Sequence, residues 1–455
     1  MAAPPLLLLG ALLGVPFSEA STAPQVTASV APTEAVTLGV LLPGRNLRYP
    51  WAWPRVQPAL SLALEAQLRP LGLDVRTAFA STENQEGQCD SRAAFFKATD
   101  LKRSQAPDVL LGPGCFRLHV VVESFAKFSQ LPLLRAGVYL RRQDFSASVY
   151  AGPAGPNLLD FQAQLLRHFH WTSRALLLAS RQVDYWQYPV WGFGKQLAAT
   201  IPNIRARAYV YHQPDEKAVQ FIQDNRVVFI LGPLKMLQEI MRLAQAQNMT
   251  SGDYVFIYLD FLGESLSAEG HREAAKPWQS KECPDLGDLR EAFRTVLMVT
   301  PHVPQTPEYR RFQSQLIQRA QRDFGVAVND SLGTLVAGCF HDVLLLYLGA
   351  LNETLQEGGT KRNTSRILEK MRGLKIQGVT GTVSLNSNND RETDFDLQAM
   401  RDVESGEFQV VAHYVGADKQ IEWLGPIHWK KGSPPLDNPP GVFDMDDPSC
   451  GKGGG

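Results

Sequence analysis

Residues Thr37–Leu42 read TLGVLL, an uninterrupted apolar run, and Pro54–Leu68 follows with apolar residues on a helical period. A short buried strand feeding an amphipathic helix opens a βαβ unit, and the pattern repeats along the chain. Leu73–Phe79 alternates as a second strand, and Asp108–Leu111 (DVLL) is a third, ended by Gly112-Pro113-Gly114. A helix over Leu118–Phe128 leads to a fourth strand at Pro132–Leu134. The rhythm then restarts with a helix at Asn157–His168 and strands at Ala175–Ala179, Ala206–Tyr211 and Val227–Leu231. A helix over Lys235–Asn248 and a strand at Tyr254–Leu259 complete this set before a polar stretch, 263–289, interrupts it.

Beyond the interruption come a strand at Val296–Val299, an amphipathic helix at Pro307–Phe324 and a long apolar helix at Leu332–Leu355, stopped by Gly358-Gly359. From Val379 to Leu424 the period becomes two, around turn signals at Asn388-Asn389-Asp390 and Glu404-Ser405-Gly406, so antiparallel hairpins are expected. Two successive α/β sets, with the chain returning to finish both, predict a two-lobed binding-protein fold. Its parallel sheets would be flanked by helices about a hinge. The expected division gives residues 36–152 and 262–375 to one lobe, 153–261 and 376–432 to the other, and 433–455 to a tail.

A chain of 455 residues is too long for a single core, and 44% apolar with 20% charged residues is a globular composition. The formal net charge of -1 offers no electrostatic footprint for nucleic acid. Residues 1–20 read as a signal peptide: Leu6–Leu9 and Gly10–Val15 form a short apolar region, and Ser18-Glu19-Ala20 resembles a cleavage site. Sequons at Asn248, Asn329, Asn352 and Asn363 agree with export, to the outside of the cell or its outer face. The strongest later candidate for a membrane span, Val343–Leu351, is too short. A membrane would therefore be reached only through a segment beyond the Gly-rich end, Gly451–Gly455.

Enzyme motifs yield little. His168-Phe169-His170 would share a face on a strand but has no third ligand nearby, and no HExxH or CxxC occurs. Gly112-Pro113-Gly114-Cys115 lacks the Lys-Ser/Thr of a phosphate loop. Asn386–Asp394 (NSNNDRETD) approaches a calcium loop, but its spacing fails and a solvated hairpin turn is expected instead. No catalytic residue, metal ligand set or catalytic cofactor is expected.

The five cysteines fit an oxidising compartment. Cys89 and Cys115 each sit where a strand gives way to a helix, and neighbouring parallel strands would bring these ends together. Their bridge would contribute on the order of 3 kcal/mol. The Gly114 and Cys115 amides at a helix start would also suit an anion, against the alternative of a purely structural bridge. Cys339 lies mid-helix among Val336, Phe340 and Val343, as a buried unpaired thiol would, while Cys283 and Cys450 could pair together or with a second chain.

Several strings resemble the extracellular ligand-binding domain of natriuretic peptide receptors. Tyr49-Pro50-Trp51-Ala52-Trp53 is similar to the family's tryptophan-pair segment, and Ser81–Asn84 with Cys89 and Leu111–Cys115 (LGPGC) to its first disulfide loop. Gly252–Phe256, Leu259–Leu266, Asn352–Thr360, Gly378–Gly381, Asn388–Phe395 (NNDRETDF) and Phe443–Cys450 resemble the type B, guanylyl cyclase-linked receptor. The match spans residues 36 to 450, nearly the whole mature chain.

The resemblance implies a type I periplasmic-binding-protein fold and a homodimer gripping one peptide hormone, with C-type natriuretic peptide favoured. Residues 36–152 and 262–375 would form the membrane-distal lobe, and 153–261 and 376–432 the membrane-proximal one. It also implies a structural or allosteric chloride at Thr82, Gly114 and Cys115, and hormone contacts at Tyr211, Tyr188, Trp186 and Arg117. A full-length relative would control a cytoplasmic guanylyl cyclase making cyclic GMP. The alternatives are a soluble decoy or clearance-type hormone binder, or a small-molecule binder using the inter-lobe cleft. Departures are specific: Arg117 stands for a hormone-contacting tyrosine, Phe128-Ser129 for a His-Trp pair near the dimer face, and Thr82 for a serine. The aromatic segment Asp184–Phe193, with Trp191, does not follow the family's contact pattern.

Overall fold

The computed structural model describes residues 34–137, 148–153, 157–180, 187–214, 216–260, 276–279, 289–328 and 331–437. The expected leader, Trp186, Asn329, Cys283 and Cys450 lie outside these described residues. The first sheet is wholly parallel: β1 (Glu34–Leu42), β2 (Leu73–Ser81), β3 (Val109–Leu111), β4 (Leu133–Arg135) and β5 (Ser148–Tyr150), in the order β2-β1-β3-β4-β5. Between them run α1 (Trp53–Leu71), α2 (Ser91–Gln105) and α3 (His119–Phe128). Parallel neighbours need such crossovers, and the helices cover the sheet so that its strands can be apolar throughout.

The chain then enters the second lobe through α4 (Asn157–His168). There β6 (Arg174–Ser180), β7 (Arg205–Tyr211), β8 (Val227–Leu231), β9 (Val255–Leu259) and β10 (Val296–Pro301) alternate with α5 (Gln187–Thr200), α6 (Glu216–Gln223), α7 (Leu234–Ala246) and the short α8 (Arg290–Phe293). It returns to the first lobe for α9 (Pro307–Phe324), α10 (Ser331–Gln356), α11 (Thr364–Met371) and a hairpin of β11 (Lys375–Gly378) with β12 (Gly381–Ser384). Finally β13 (Phe395–Met400), β14 (Phe408–Val415) and β15 (Gln420–Trp423) add antiparallel to β10, giving an eight-stranded sheet ordered β15-β14-β13-β10-β9-β8-β6-β7.

Burial explains the unbroken apolar runs. On one face of the second sheet Leu177, Phe229, Ile257 and Leu297 pack together, and on the other Leu176, Val228, Phe256 and Met298 do. Alternate side chains therefore serve two cores, and no position in these strands can be polar without cost. In the first lobe α10 is buried on almost all sides, with Val336, Phe340, Leu344 and Tyr347 in the core. At 26 residues it is long and apolar enough to cross a membrane, more than the stretch Val343–Leu351 anticipated, yet 89% of its apolar window is buried inside the protein.

Three expectations need correction. The lobe crossings fall between β5 and α4, β10 and α9, and β12 and β13, so β10 belongs to the second sheet and the β11–β12 hairpin to the first lobe. The expected boundary at 261/262 falls at the polar interruption, but beyond it the chain adds one more strand to the second sheet before leaving. His168 ends α4 and His170 takes a positive φ of 61°, so the pair shares no strand. Asn389, Asp390, Arg391 and Thr393 are buried rather than solvated, because this loop is itself a lobe crossing.

Candidate functional site

Strands β1, β2 and β3 end at one edge of the first sheet. There Cys89 and Cys115 are joined, with Cα atoms 6.5 Å apart. The Thr82 N–H donates to the Leu42 carbonyl at 3.1 Å and its carbonyl accepts from the Asp90 N–H at 3.0 Å, which fixes this residue beside the end of β1. Thr82 is 0% exposed, and its hydroxyl makes no hydrogen bond among the described residues. The indole N–H of buried Trp51 donates to Cys115 Sγ at 3.1 Å. A Cβ on Gly137 would lie 2.3 Å from the Gly114 carbonyl oxygen, so the cradle is closed on that side too. A buried hydroxyl without a partner is destabilising unless a water or ion meets it.

Of the expected hormone contacts, Arg117 and Tyr211 lie in different lobes. Arg117 is exposed in the 3-10 turn Phe116–Leu118, whose position is tied to α2 by the Ser91 hydroxyl donating to the Arg117 carbonyl at 3.3 Å. Tyr211 closes β7 in the other lobe and is only 4% exposed, packed in the core with Leu178 and Ile230. Its ring is core, because the strand places its last side chain inward. Tyr188 falls in the first turn of α5.

A surface missed by the sequence reading lies on α2 and α3. Phe95 and Phe96 are 46% and 59% exposed, Val120 is 41% exposed, and Phe128 is 90% exposed at the end of α3. Phe125 meets Phe95 edge-on at 6.2 Å and joins the two helices. Asp90 fixes where α2 starts by accepting from the Ala93 N–H at 2.7 Å. Two adjacent phenylalanines on a helix cannot both face one core, and that was the available signal. Exposed aromatics grouped in this way mark contact surfaces.

The lobe crossings lie side by side. Tyr150 N–H donates to the Asn389 carbonyl at 2.9 Å, and Arg391 N–H to the Tyr150 carbonyl at 2.7 Å. Asn157 donates to Glu392 at 2.6 Å and to the Gly416 carbonyl at 3.1 Å. Arg391 donates to the Thr380 hydroxyl at 2.8 Å, and that hydroxyl donates in turn to Asp342. Asp342 also accepts from the Val379 and Thr380 N–H groups and from His341. Burial alone would raise its pKa, but the hydrogen bond and charge of His341, with Arg391 and Thr380, hold it below the usual carboxylate value. Cys339 is a free, buried thiol beside Arg391, pushed up to about 12 by burial.

Among the sequon asparagines, Asn248 is exposed just past α7 and Asn363 is exposed before α11. Asn352 is half-buried on α10.

The model for the "Receptor family ligand binding region" matches residues 55–402. "Atrial natriuretic peptide receptor 2" of Rattus norvegicus is 49% identical over 92% of this chain, and that of Homo sapiens is 48% identical over the same share. The chain spans 41% of the length of these relatives. "Atrial natriuretic peptide receptor 3" of Homo sapiens is 26% identical over 86% of this chain and 73% of its own. Among solved structures, the leucine-binding protein LivK of Thermotoga maritima superposes with a TM-score of 0.55 at 14% identity, covering 85% of this chain and all of that one. A substrate-binding protein of Sphaerobacter thermophilus gives 0.57 at 15% identity, over 84% and 98%. These two support the fold alone, the two-lobed α/β architecture of periplasmic binding proteins. The disulfide, the two-lobed scaffold and a family match across most of the chain lead to one conclusion: this chain belongs to the receptor family ligand binding region, as an extracellular ligand-binding domain similar to those of natriuretic peptide receptors.

Proposed function

We propose that this domain binds a natriuretic-type peptide hormone as a homodimer, with the C-type peptide favoured. The observation that carries the reading is the 49% identity over 92% of the chain with a natriuretic peptide receptor 2. In a longer protein of the relatives' kind, the bound state would control a cyclic GMP-producing domain, with the lobe holding the eight-stranded sheet nearer the membrane. The exposed Phe95, Phe96 and Phe128 supply apolar area for a dimer contact on α2 and α3, and in a C2 pair this patch would meet its own copy. Arg117, two residues past Cys115, is exposed. Sequons at Asn248, Asn352 and Asn363 would carry glycans.

A chloride ion fits the buried edge of the first sheet. The Thr82 hydroxyl would donate to it, with the Gly114 and Cys115 amides as further donors and Trp51 sealing the side. Such an ion would supply fixed negative charge and satisfy the orphaned hydroxyl, stiffening the loops that carry Arg117.

The test is calorimetric titration of the purified chain with C-type natriuretic peptide, in chloride and in chloride-free buffer. Saturation at one peptide per two chains, weaker without chloride, is expected. A folded dimer that takes up no peptide would refute hormone recognition.

A further inference from the structure

Three side chains outside the regions discussed so far converge where the second lobe hands the chain back to the first. Asp396 on β13 stands directly opposite His413 on β14, and His302 follows the end of β10, whose Pro301 pairs with Phe395. Both imidazoles direct Nδ1 at the same carboxylate: His413 at 2.8 Å from Oδ1, and His302 at 3.1 Å from each oxygen. The two rings meet edge to face at 4.5 Å. All three ligand atoms lie within 4.8 Å of one another.

We propose that His302, Asp396 and His413 form a site for a borderline divalent metal ion such as Zn2+. Around a tetrahedral ion with bonds of ~2.0–2.1 Å, ligand atoms stand ~3.3 Å apart; the Asp396 carboxylate lies 2.8 Å from His413 Nδ1 and 3.1 Å from His302 Nδ1, and all three ligand atoms lie within 4.8 Å. Two imidazoles and one carboxylate are a donor set such ions take. The side chains of His302, His413 and Asp396 are 34%, 19% and 13% exposed, so an ion can enter and a fourth position stays open to water. Asp394 and Glu422 add negative charge around His413, which favours a cation further.

The Asp394 carbonyl accepts from the His302 N–H at 3.1 Å, and Asp394 Oδ1 accepts from the Gly416 N–H at 2.8 Å. This fastens the β10–α9 crossing to the sheet that holds the other two ligands. The simpler alternative is a hydrogen-bonded His–Asp–His group with no affinity for metal. A metal binds only an unprotonated Nδ1, so its uptake competes with the protons of that group and weakens at low pH.

The experiment uses the full chain, purified without a histidine tag and stripped of metal, titrated with ZnCl2 by calorimetry and with Co2+ by visible absorption. We expect one ion per chain and, for Co2+, an intense tetrahedral-type band. His302→Gln, Asp396→Asn and His413→Gln should each weaken Zn2+ by about tenfold or more, as even supporting groups of a metal site do. Circular dichroism checks that each variant is folded. His302→Gln, at the most exposed position, decides the matter if a strand variant unfolds. No saturable uptake at one ion per chain, or undiminished affinity in folded His302→Gln, would overturn the proposal.

Discussion

Trp51 occupies the space that a side chain on Gly114 would need: a Cβ there would lie 2.1 Å from Trp51 Cγ. Trp51 is buried and holds Cys115 through its indole N–H, so it cannot swing away without breaking that contact. Gly114→Ala is therefore expected to destabilise the domain by about 1–3 kcal/mol, the usual cost of overpacking. Urea unfolding of the two proteins, compared at equal slope, checks this.

The orphaned hydroxyl of Thr82 allows a sharper test of the anion. Valine has nearly the same shape as threonine and lacks the hydroxyl. If the site is dry and empty, Thr82→Val removes an unsatisfied group and leaves stability unchanged or higher. If an anion is held there, the variant loses a donor to it. We expect the second outcome: a smaller rise in unfolding midpoint on adding chloride than the parent shows, read from parallel melts in chloride and gluconate.

The aromatic patch on α2 and α3 yields a prediction about association. Phe128 is 90% exposed, so Phe128→Asp should change the stability of the monomer by no more than about 0.5 kcal/mol. Charge placed in an apolar contact between copies should weaken the dimer strongly. Phe96→Asp, at 59% exposed, should act in the same direction. Sedimentation velocity across a dilution series measures both, and an unchanged dimer in both variants would remove this face from the interface.

These surfaces differ in how far they could be seen in the sequence. The strands were legible because burial on both faces leaves runs such as Val227–Leu231 with no polar residue. Helix α9 was legible to the residue because Thr306 caps its start, accepting from the Tyr309 N–H at 3.2 Å, and Gly325 ends it at a positive φ of 65°. Cys89 and Cys115 were found because strand ends in a parallel sheet share an edge. Helix α2 was missed because Lys97, Asp100, Lys102 and Arg103 blur its apolar period, and its phenylalanines point outward. The burial of Arg391 and the meeting of His302 with His413 depend on strand order, since β10 and β14 are each neighbours of β13 but far apart in sequence. Nothing local in those segments announces it.

Asp342 ties the β11–β12 turn to α10, and its removal should be costly. Asp342→Asn leaves fewer acceptors for the Val379 and Thr380 N–H groups and the Thr380 hydroxyl, so a loss of about 1–3 kcal/mol is expected. Its folded pKa lies below its ordinary value of 3.8. The stability it contributes is thus complete above that value and is lost as pH falls through the depressed folded pKa. The parent should lose stability faster than Asp342→Asn over this acid range, which denaturant midpoints at a series of pH values will show.

The histidine cluster responds at the other end of the scale. The hydrogen bond from His413 to Asp396 raises the His413 pKa above 6.5, against the opposing effect of burial and with help from the charges of Asp394 and Glu422. Burial would raise Asp396, but the hydrogen bonds from His302 and His413 hold it below its ordinary 3.8. A raised folded pKa means that the His413 contribution is fully present below pH 6.5 and is lost as pH rises through the folded value. The Asp396 contribution runs oppositely, present above 3.8 and lost as pH falls through the depressed value. Together they should support the β13–β14 pairing best in the mildly acidic range between. NMR titration of the metal-free protein should give His413 a pKa above 6.5, and Asp396→Asn should lower it. An unmoved His413 pKa in that variant would mean that the neighbouring carboxylates, not this hydrogen bond, set its charge.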